Sequence, residues 1–405
     1  MDEQRYLING KVYAPDHPGL QEALARVYDT PARPRCLCVD GGVEMYVSKF
    51  RDFVIKRMPE SGTRHAPTCP SFELPPNESG LGQLLGDAII DRGTDGVELR
   101  LDFPLTRYQG RSQPYRRPEA TVEVAVARKQ LSLRGLLHYL WERAGFNRWY
   151  PRMQGKRTYA VVRRFLLEAC EEVQTKGLRL SERVFIPERF QLERAGEIAI
   201  RHREALAPLL LRRTQARFNL MIALGELKTF SPTAAGHRLM LKHLPEGPLF
   251  LDGSTSERAK RLFEHELVAW SNGRVRLVTA CLIRAKNEHS YAIEALALMT
   301  ASPQWIPLEC AGESDVVAKL VAEERVFMKP LRYDTAASGP FPNFLLLDAG
   351  ARPVALDIVS SFLGDAERAT KLSAIAARGP KGWVWDTARD AAVPELPPRA
   401  LARTH

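Results

Sequence analysis

The residue types best suited to chemistry near the start of this sequence are cysteines and a histidine, arranged in two pairs. Cys36 and Cys38 form a Cys-X-Cys pair, and His65 and Cys69 form a His-X3-Cys pair, so three of the six cysteines lie in one short stretch. Thiolate and imidazole groups in such a set of four are the ligands of a tetrahedral structural Zn²⁺. The spacing therefore predicts a structural zinc site, and the alternative is two ordinary buried cysteines with His65 on the surface.

Two β-strands must bring these pairs together. Apolar runs at 43–47 and 53–58 predict a hairpin between the two halves of the site, and Pro67 and Pro70 restrict the backbone of the second half. We expect residues 1–73 to form a small zinc-binding unit in which the metal supports folding and not catalysis. The Cys-X-Cys opening resembles SWIM-type zinc fingers, but the His-X3-Cys closing differs, so the resemblance is limited to the coordination plan.

The composition is that of a globular protein with several domains. The 405 residues are 45% hydrophobic and 26% charged, which is enough for two or three apolar cores. The net charge of +10 favours polyanionic partners, because each cation that contacts a phosphate releases a counterion. The N-terminus lacks a basic segment followed by an apolar one, and no apolar run reaches the length of a membrane helix, so we expect a cytoplasmic protein with no membrane partner.

The strongest basic bias lies in residues 132–190, which have 12 Lys and Arg against six Asp and Glu. Ser132 begins an amphipathic helix that Gly145 ends, a second helix is predicted from about 158 to 173, and residues 183–187 predict a strand or wing. This order is winged-helix-like, and the alternative is a helical hairpin whose cations extend into solvent. In the winged-helix interpretation the cations that contact DNA phosphates are Arg148, Arg152, Lys156, Arg157, Arg163 and Arg164.

Alternating elements occupy the middle of the chain. Residues 74–130 predict a connector and a β region, and residues 217–310 predict an α/β domain with no glycine-rich phosphate loop. Within that domain the predicted elements are a strand at 249–251, a helix at 255–270, a strand at 274–284, a helix at 289–300 and a strand at 305–308.

The C-terminal part has the element order helix, three strands, helix, strand. The predicted bounds are 315–324, 325–333, 341–348, 353–359, 365–377 and 382–385, followed by a proline-containing tail at 391–405. This order resembles the core of the PD-(D/E)XK nuclease superfamily. In that superfamily an Asp that follows a Pro and an acidic-X-Lys tripeptide hold Mg²⁺ and orient the attacking water.

The positions that match this nuclease motif depart from it twice. Asn343 follows Pro342 where the superfamily has an acid, and Val359 ends the tripeptide that begins at Asp357 where the superfamily has Lys. Lys371 on the following helix could replace the missing cation. The missing carboxylate could come from Glu323 or Glu324 on the preceding helix, or from Asp348 in the hairpin. The resemblance therefore implies a candidate catalytic set that could use Mg²⁺ as its cofactor: Asp357, Lys371, Asn343, Glu323 and Asp348. Because fold does not fix function, we expect a binding scaffold, with an active endonuclease as the alternative.

Two longer motifs resemble a bacterial family. They are the segment 36–69, which contains both halves of the zinc motif, and the segment 131–149, which reads LSLRGLLHYLWERAGFNRW. Both look like domain-of-unknown-function family 1173, which is met on integrative and conjugative elements. The resemblance implies a mobile-element setting and DNA as the partner.

These features predict an α/β (α+β multidomain) protein. Its expected units are a zinc-binding unit at 1–73, a connector and β region at 74–130, a basic winged-helix-like region at 131–216, an α/β domain at 217–310, a PD-(D/E)XK-like αβββαβ core at 311–390 and a tail at 391–405. The expected function is zinc-stabilised DNA binding with a degenerate nuclease-like core. The alternatives are an active Mg²⁺-dependent DNA endonuclease and a subunit that contacts protein partners of a mobile-element complex.

Overall fold

A computed structural model provides the structure of this protein. It describes residues 4–49, 52–75, 78–92, 96–108, 130–210, 212–214, 217–333, 341–379 and 382–400. The architecture is mixed α/β, in agreement with the predicted class, and the described strands form several sheets. Among these described residues, no helix is both long and apolar enough to cross a membrane.

The N-terminal unit is a sheet of five strands with one helix packed on it. Its elements are β1 (Tyr6–Ile8), β2 (Lys11–Tyr13), α1 (Leu20–Val27), β3 (Arg35–Cys36), β4 (Val43–Lys49) and β5 (Phe53–Arg57). The strand order is β2-β1-β3-β4-β5, and β4 and β5 form the predicted hairpin. Helix α1 buries Leu20, Ala23, Leu24 and Val27, which recur at helical spacing and therefore lie on one face towards the sheet.

The next part contains two helices and a small sheet. Its elements are β6 (Ile89–Asp91), β7 (Val97–Leu99), β8 (Thr106–Tyr108), α2 (Leu133–Arg143), β9 (Arg148–Trp149), α3 (Tyr159–Glu171), β10 (Val173–Thr175) and β11 (Leu178–Arg179). Both predicted helices are confirmed. The hydroxyl of Ser132 caps α2 by accepting hydrogen bonds from two backbone N–H groups, and Thr158 caps α3 in the same way, with one such bond.

A five-stranded barrel forms the middle of the chain. The elements here are β12 (Val184–Phe185), α4 (Ala195–Leu206), β13 (Arg212–Thr214), β14 (Arg217–Asn219), β15 (Met221–Thr233), β16 (Gly236–Leu241), β17 (Leu244–Asp252), α5 (Gly253–Leu262), α6 (Glu264–Ser271), β18 (Arg276–Asn287) and β19 (Ser290–Ala301). Strands β15 to β19 close in the order β15-β16-β17-β19-β18, because β18 pairs with β15. Strand β12 adds to β15 in parallel, so the predicted wing at 183–187 is an edge strand of this sheet.

The predicted helix at 289–300 is wrong, because these residues form strand β19. The segment contains Ala, Leu, Met and Glu, which favour helices, but it pairs along its whole length with β18 and also with β17. Long-range pairing and burial therefore override local propensity here. The predicted helix at 255–270 is two helices, α5 and α6, separated at Phe263.

The C-terminal elements follow the predicted order. They are β20 (Pro307–Leu308), α7 (Glu313–Ala322), β21 (Phe327–Met328), β22 (Phe344–Leu346), β23 (Val354–Val359), α8 (Asp365–Ala377) and β24 (Trp383–Asp386). The sheet order is β24-β23-β22-β21-β9, in which only the β23–β24 pair is parallel. The edge strand β9 therefore comes from the middle of the chain.

The apolar cores contain residues from both sides of the predicted unit boundaries at 131 and 216. One core contains side chains from Leu84 to Tyr333 and joins α2 and α3 to the outer surface of β15, β18 and β19. A second core fills the barrel, and a third lies under the C-terminal sheet and includes Trp149 of β9. The central and C-terminal parts are therefore held together by shared burial.

Candidate functional site

The four predicted zinc ligands converge at the end of β3, the central strand of the N-terminal sheet. The Sγ atoms of Cys36 and Cys69 are 3.7 Å apart, and the Nδ1 atom of His65 is 3.3 Å from the Sγ atom of Cys38 and 3.6 Å from that of Cys69. All four ligand atoms lie within 4.8 Å of one another. Both the residue types and their convergence therefore follow the prediction for this cluster.

These distances fit a tetrahedral metal. A Zn–S bond of about 2.3 Å places two ligand sulfurs at the corners of a tetrahedron about 3.8 Å apart. The separation of 3.7 Å matches this value and is far longer than a disulfide bond of about 2.05 Å. All of these cysteines are free thiols. The cluster can therefore hold a metal ion such as zinc.

Electrostatics give a second reason for a cation at this cluster. Cys36, His65 and Cys69 are buried. The pKa of the Cys69 thiol is raised, first by its hydrogen bond to Cys36, then by its hydrogen bond to Cys38 and by burial. Three thiolates so close together cannot all ionise unless a positive charge compensates them. A bound metal ion would supply that charge.

Local backbone geometry positions the second half of the cluster. A short 3-10 turn at Gly62–Arg64 comes directly before His65, and the N–H group of Cys69 donates to the carbonyl of Ala66, which folds the His-X3-Cys segment back on itself. A Cβ atom at Gly62 would lie 2.5 Å from the Cβ atom of Glu73. Only glycine permits this close approach of the two backbone segments.

A second cluster of charged side chains is buried beneath the C-terminal sheet. At its centre is Lys329, which is 1% exposed and whose Nζ atom lies 2.7 Å from Oε1 of Glu313 and 3.2 Å from Oε2 of Glu309. Arg332 also contacts Oε2 of Glu309 at 3.2 Å. Burial disfavours the charge of Glu309 most strongly, but Lys329 and Arg332 outweigh it and lower the pKa of Glu309 to about 2.

Asn343 connects the charged cluster around Lys329 to strand β23 and to helix α8. Its Nδ2 atom donates to Oε1 of Glu313 at 2.7 Å. Its Oδ1 atom accepts from the backbone N–H of Ile358 at 2.9 Å and from the Nζ atom of Lys371 at 2.5 Å. Burial lowers the pKa of Lys371. The oxygen and the nitrogen of this amide are therefore both engaged by the protein itself.

Asp357 lies on β23 and is 1% exposed. Its Oδ2 atom accepts a hydrogen bond of 2.5 Å from Arg378, which follows α8. Its Oδ1 atom is buried and has no hydrogen-bond partner among the residues that the structure describes. One oxygen of this carboxylate is thus paired, and the other is open to a further donor or cation.

Glu323 and Asp348 are engaged elsewhere. Glu323 lies on the exposed side at the end of α7 and forms an ion pair of 2.8 Å with Lys319. Asp348 accepts hydrogen bonds from the guanidinium of Arg325 and from the backbone N–H of Val326. Neighbouring Glu324 is exposed.

Besides Asp357, the cluster contains the carboxylates of Glu309 and Glu313, which the sequence interpretation did not include. Glu313 begins α7 directly after Gly312, whose φ of +88° is a left-handed conformation that favours glycine. An acid in the first turn of a helix is common for electrostatic reasons, so Glu313 carried no special signal.

The basic residues of the winged-helix interpretation have different roles. Arg157 is half-buried and donates to the carbonyls of Gly145, Phe146 and Gln304, and burial lowers its pKa to about 9. Arg148 and Arg163 each donate to one main-chain carbonyl. Those that are exposed are Arg152, Lys156 and Arg164. Arg157 therefore acts as a structural cation.

No curated protein and no solved structure matches this chain. A family model described as "Protein of unknown function (DUF1173)" matches residues 6–388. This match covers nearly the whole sequence and includes the Cys3His cluster, the buried charged cluster and the barrel between them. The chain therefore belongs to the DUF1173 family.

Proposed function

We propose that this protein binds DNA and that its nuclease-like C-terminal sheet is a scaffold that does not cleave. The mobile-element setting implied by the family resemblance is part of this proposal. The observation that carries the scaffold part of the proposal is the position of Lys329, whose ammonium group lies between the carboxylates of Glu309 and Glu313. A protein cation thus lies between the two carboxylates, where a divalent metal would otherwise lie, and contacts one oxygen of each.

The charge balance of the cluster supports this interpretation. Its three carboxylates, Glu309, Glu313 and Asp357, contact the four cationic side chains of Lys329, Arg332, Arg378 and, through Asn343, Lys371. Mg²⁺ requires near-octahedral oxygen ligation and is usually held by one or two carboxylates together with water and phosphate oxygens. A site in which the cations already outnumber the carboxylates does not fit that ion, and we derive no hydrolytic step through it.

We further propose that the metal of the Cys3His cluster is zinc with a structural role. Three thiolates and one imidazole are the soft and borderline ligands that select zinc over hard cations. All four positions are taken by protein atoms, which leaves no open position for a substrate. The ion would join β3 to the segment that carries His65 and Cys69.

DNA binding is supported by the positive charge and by the exposed cations. The chain has 58 Lys and Arg against 48 Asp and Glu. Of the six predicted phosphate contacts, Arg152, Lys156 and Arg164 are exposed, although Arg164 also forms an ion pair with Glu168. Binding of the purified chain to labelled duplex and single-stranded DNA over a range of salt concentrations tests this part. Absence of binding to both would favour a subunit that contacts proteins.

Cleavage is tested by titrating Mg²⁺ and Mn²⁺ into the same mixtures. We expect no cleavage beyond that of Asp357→Ala, because Lys329 contacts Oε2 of Glu309 and Oε1 of Glu313, and Lys371 contacts Oδ1 of Asn343. Cleavage that disappears in Asp357→Ala and falls strongly in Lys371→Ala would overturn the scaffold proposal. Cleavage that survives Asp357→Ala would come from another site or from a contaminant.

An active endonuclease is the second candidate, and one observation favours it. The Oδ1 atom of Asp357 is buried and has no partner in the described part of the chain, and Lys371 faces the same cluster through Asn343. A carboxylate oxygen left in this state is costly unless a cation reaches it. The two-variant cleavage comparison above distinguishes this candidate from the scaffold.

A further inference from the structure

The barrel has a strand order that is associated with ligand binding on one side. Strands β15, β16 and β17 form an antiparallel meander, β17 pairs in parallel with β19, and β18 closes the barrel against β15. The helices α5 and α6 lie between the third and fourth strands. This is the order of the OB-fold, whose second and third strands carry oligonucleotides and oligosaccharides. Because fold alone does not fix function, the ligand depends on the side chains that this barrel presents.

The two sides of this barrel differ. Outward side chains of β15, β18 and β19, such as Leu224, Ala280 and Met299, are buried in the core that includes α2 and α3. Outward positions of β16 and β17 carry Arg238, which is exposed, and Phe250, which is half-buried. Their inward neighbours fill the barrel. One side of the barrel is therefore structural, and the other reaches solvent.

On the side of the barrel that reaches solvent, the aromatic ring of Phe250 has two cationic neighbours, Arg238 and Lys286. Arg238 and Phe250 are directly opposite each other in the β16–β17 register. The Nζ atom of Lys286, at the end of β18, lies 4.9 Å from the centre of the Phe250 ring. Met240, also outward on β16, extends the apolar area. We call these four residues, Arg238, Met240, Phe250 and Lys286, the barrel face.

The acidic groups at the ends of these strands have partners. Asp252 caps α5 by accepting a hydrogen bond from the N–H group of Thr255, and it also accepts from the hydroxyl of Ser254. Glu246 pairs with His202 of α4 at 2.6 Å. Glu288 is exposed in the turn after Lys286. The two cations of the barrel face are therefore available to a phosphate backbone.

We infer that the barrel face binds single-stranded nucleic acid, an inference that rests on the proposed nucleic-acid function and names its surface and substrate class. A base displaces the ammonium group of Lys286 from the face of the Phe250 ring and stacks there, while Arg238 and the displaced Lys286 contact the flanking phosphates. Stacking on an aromatic ring with adjacent cations is the chemistry by which proteins hold unpaired strands. In a duplex the base faces are already stacked on each other, so this surface prefers single strands.

The test measures binding of the full chain to a labelled oligothymidylate of about 20 nucleotides, the equivalent oligouridylate and a DNA duplex by fluorescence anisotropy. Phe250→Leu removes the ring but keeps an apolar side chain. The double variant Arg238→Gln with Lys286→Gln removes both cations. The matched control, Lys176→Gln with Arg179→Gln, removes two exposed cations from the β10–β11 hairpin. Far-UV circular dichroism shows that each variant is folded.

We expect Phe250→Leu to weaken binding to the single strand by roughly fivefold or more. The double variant should weaken binding and reduce the slope of log affinity against log salt by roughly 1.4, at about 0.7 per phosphate contact. The control should change both quantities less. The affinities for oligothymidylate and oligouridylate show whether single-stranded DNA or RNA is preferred.

Two negative results have different meanings. If the parent binds neither single strands nor duplex, the proposed function fails. If the parent binds nucleic acid but the barrel-face variants behave like the control, or if only the duplex binds, the proposed function stands and this inference is overturned.

Discussion

The ammonium group of Lys371 lies 2.5 Å from the side-chain oxygen of Asn343. Asn343 also donates from its amide nitrogen to Glu313, so this one amide connects a buried cation to a buried anion. A carboxylate at position 343 could accept from Lys371 but could not donate to Glu313. The amide that departs from the nuclease motif is therefore the residue type that this hydrogen-bond chain requires.

Replacing Lys329 should be strongly destabilising. In Lys329→Met the carboxylates of Glu309 and Glu313 lose their shared cation while buried, and removing one partner of a buried ion pair costs about 3–5 kcal/mol of unfolding free energy. Urea unfolding measures this loss. The control is Lys319→Met, which removes an ion pair on the surface of α7 and should cost less than about 1 kcal/mol. Equal effects of the two substitutions would contradict the structural role of Lys329.

Glu309 should contribute stability that is lost in acid. Its folded pKa of about 2 is below the unfolded value of about 4.3, so its contribution is present above that value and disappears as the pH falls towards 2. We expect Glu309→Gln to lower the unfolding free energy at pH 7 by up to about 3 kcal/mol, and by less at pH 3. Urea unfolding at several pH values checks this. A difference that is independent of pH would be the contrary result.

Glu142 should give the unfolding free energy the opposite pH dependence to that of Glu309. Burial raises its pKa to about 7, although a hydrogen bond from the hydroxyl of Tyr333 opposes this shift. The folded pKa is above the unfolded one, so the stability contributed by the protonated carboxyl is lost as the pH rises through about 7. Glu142→Gln should therefore resemble the parent at pH 5 and have a melting temperature higher by several degrees at pH 8. Parallel melting curves for parent and variant at both pH values would disprove this assignment.

Zinc should be measurable in the purified protein. Elemental analysis should find one zinc per chain in the parent and a strong loss in Cys69→Ser, because three remaining ligands hold the ion less tightly. A chelator should lower the melting temperature of the parent. Cys281→Ala, which changes a buried cysteine inside the barrel, should retain the metal. A parent protein that contains no zinc would end the proposal for that metal.

Arg157 should affect stability and leave the salt dependence of DNA binding unchanged. Arg157→Gln removes hydrogen bonds to main-chain carbonyls and a cation packed against the rings of Phe146 and Trp149, with an expected loss of about 2–3 kcal/mol. Arg164→Gln, at an exposed position of α3, should leave stability nearly unchanged. A reduced salt slope with unchanged stability in Arg157→Gln would place this residue on the DNA instead.

The sequence was informative where the signal was local. The spacing of the cysteines and His65, the Ser132 and Thr158 caps and the order of the C-terminal elements can all be derived from short windows, and the structure contains each of them. The barrel could not be derived in this way. Its closure depends on β15 pairing with β18, more than 50 residues later in the chain, and the helix-favouring composition of β19 conceals its strand state.

The buried charged cluster was also only partly predictable. The nuclease motif identified Asn343, Asp357 and Lys371. In the structure Lys371 contacts Asn343, and the carboxylate of Asp357 lies near enough to act on the pKa of Lys371. Lys329 lies in the segment 325–333, which the sequence predicts as the first strand of this sheet and which contains β21. The residues next to it in the sequence do not indicate that this lysine is fully buried. Its environment is created by Glu309 and Glu313, which arrive from a different element, so the cluster depends on tertiary structure.

The position of β9 at the edge of the C-terminal sheet sets a constraint on synthesis. Arg148 and Trp149 pair with Met328 and Phe327, which leave the ribosome almost 180 residues later. At about 5–20 residues per second the β9 strand waits roughly 10–40 seconds for its partner. During that interval the ribosome-bound chain exposes an unpaired strand edge, which is a site for pairing with another nascent chain. A shortened chain that begins after Trp149 would leave the corresponding edge of β21 uncovered, so the C-terminal sheet is not a separable module.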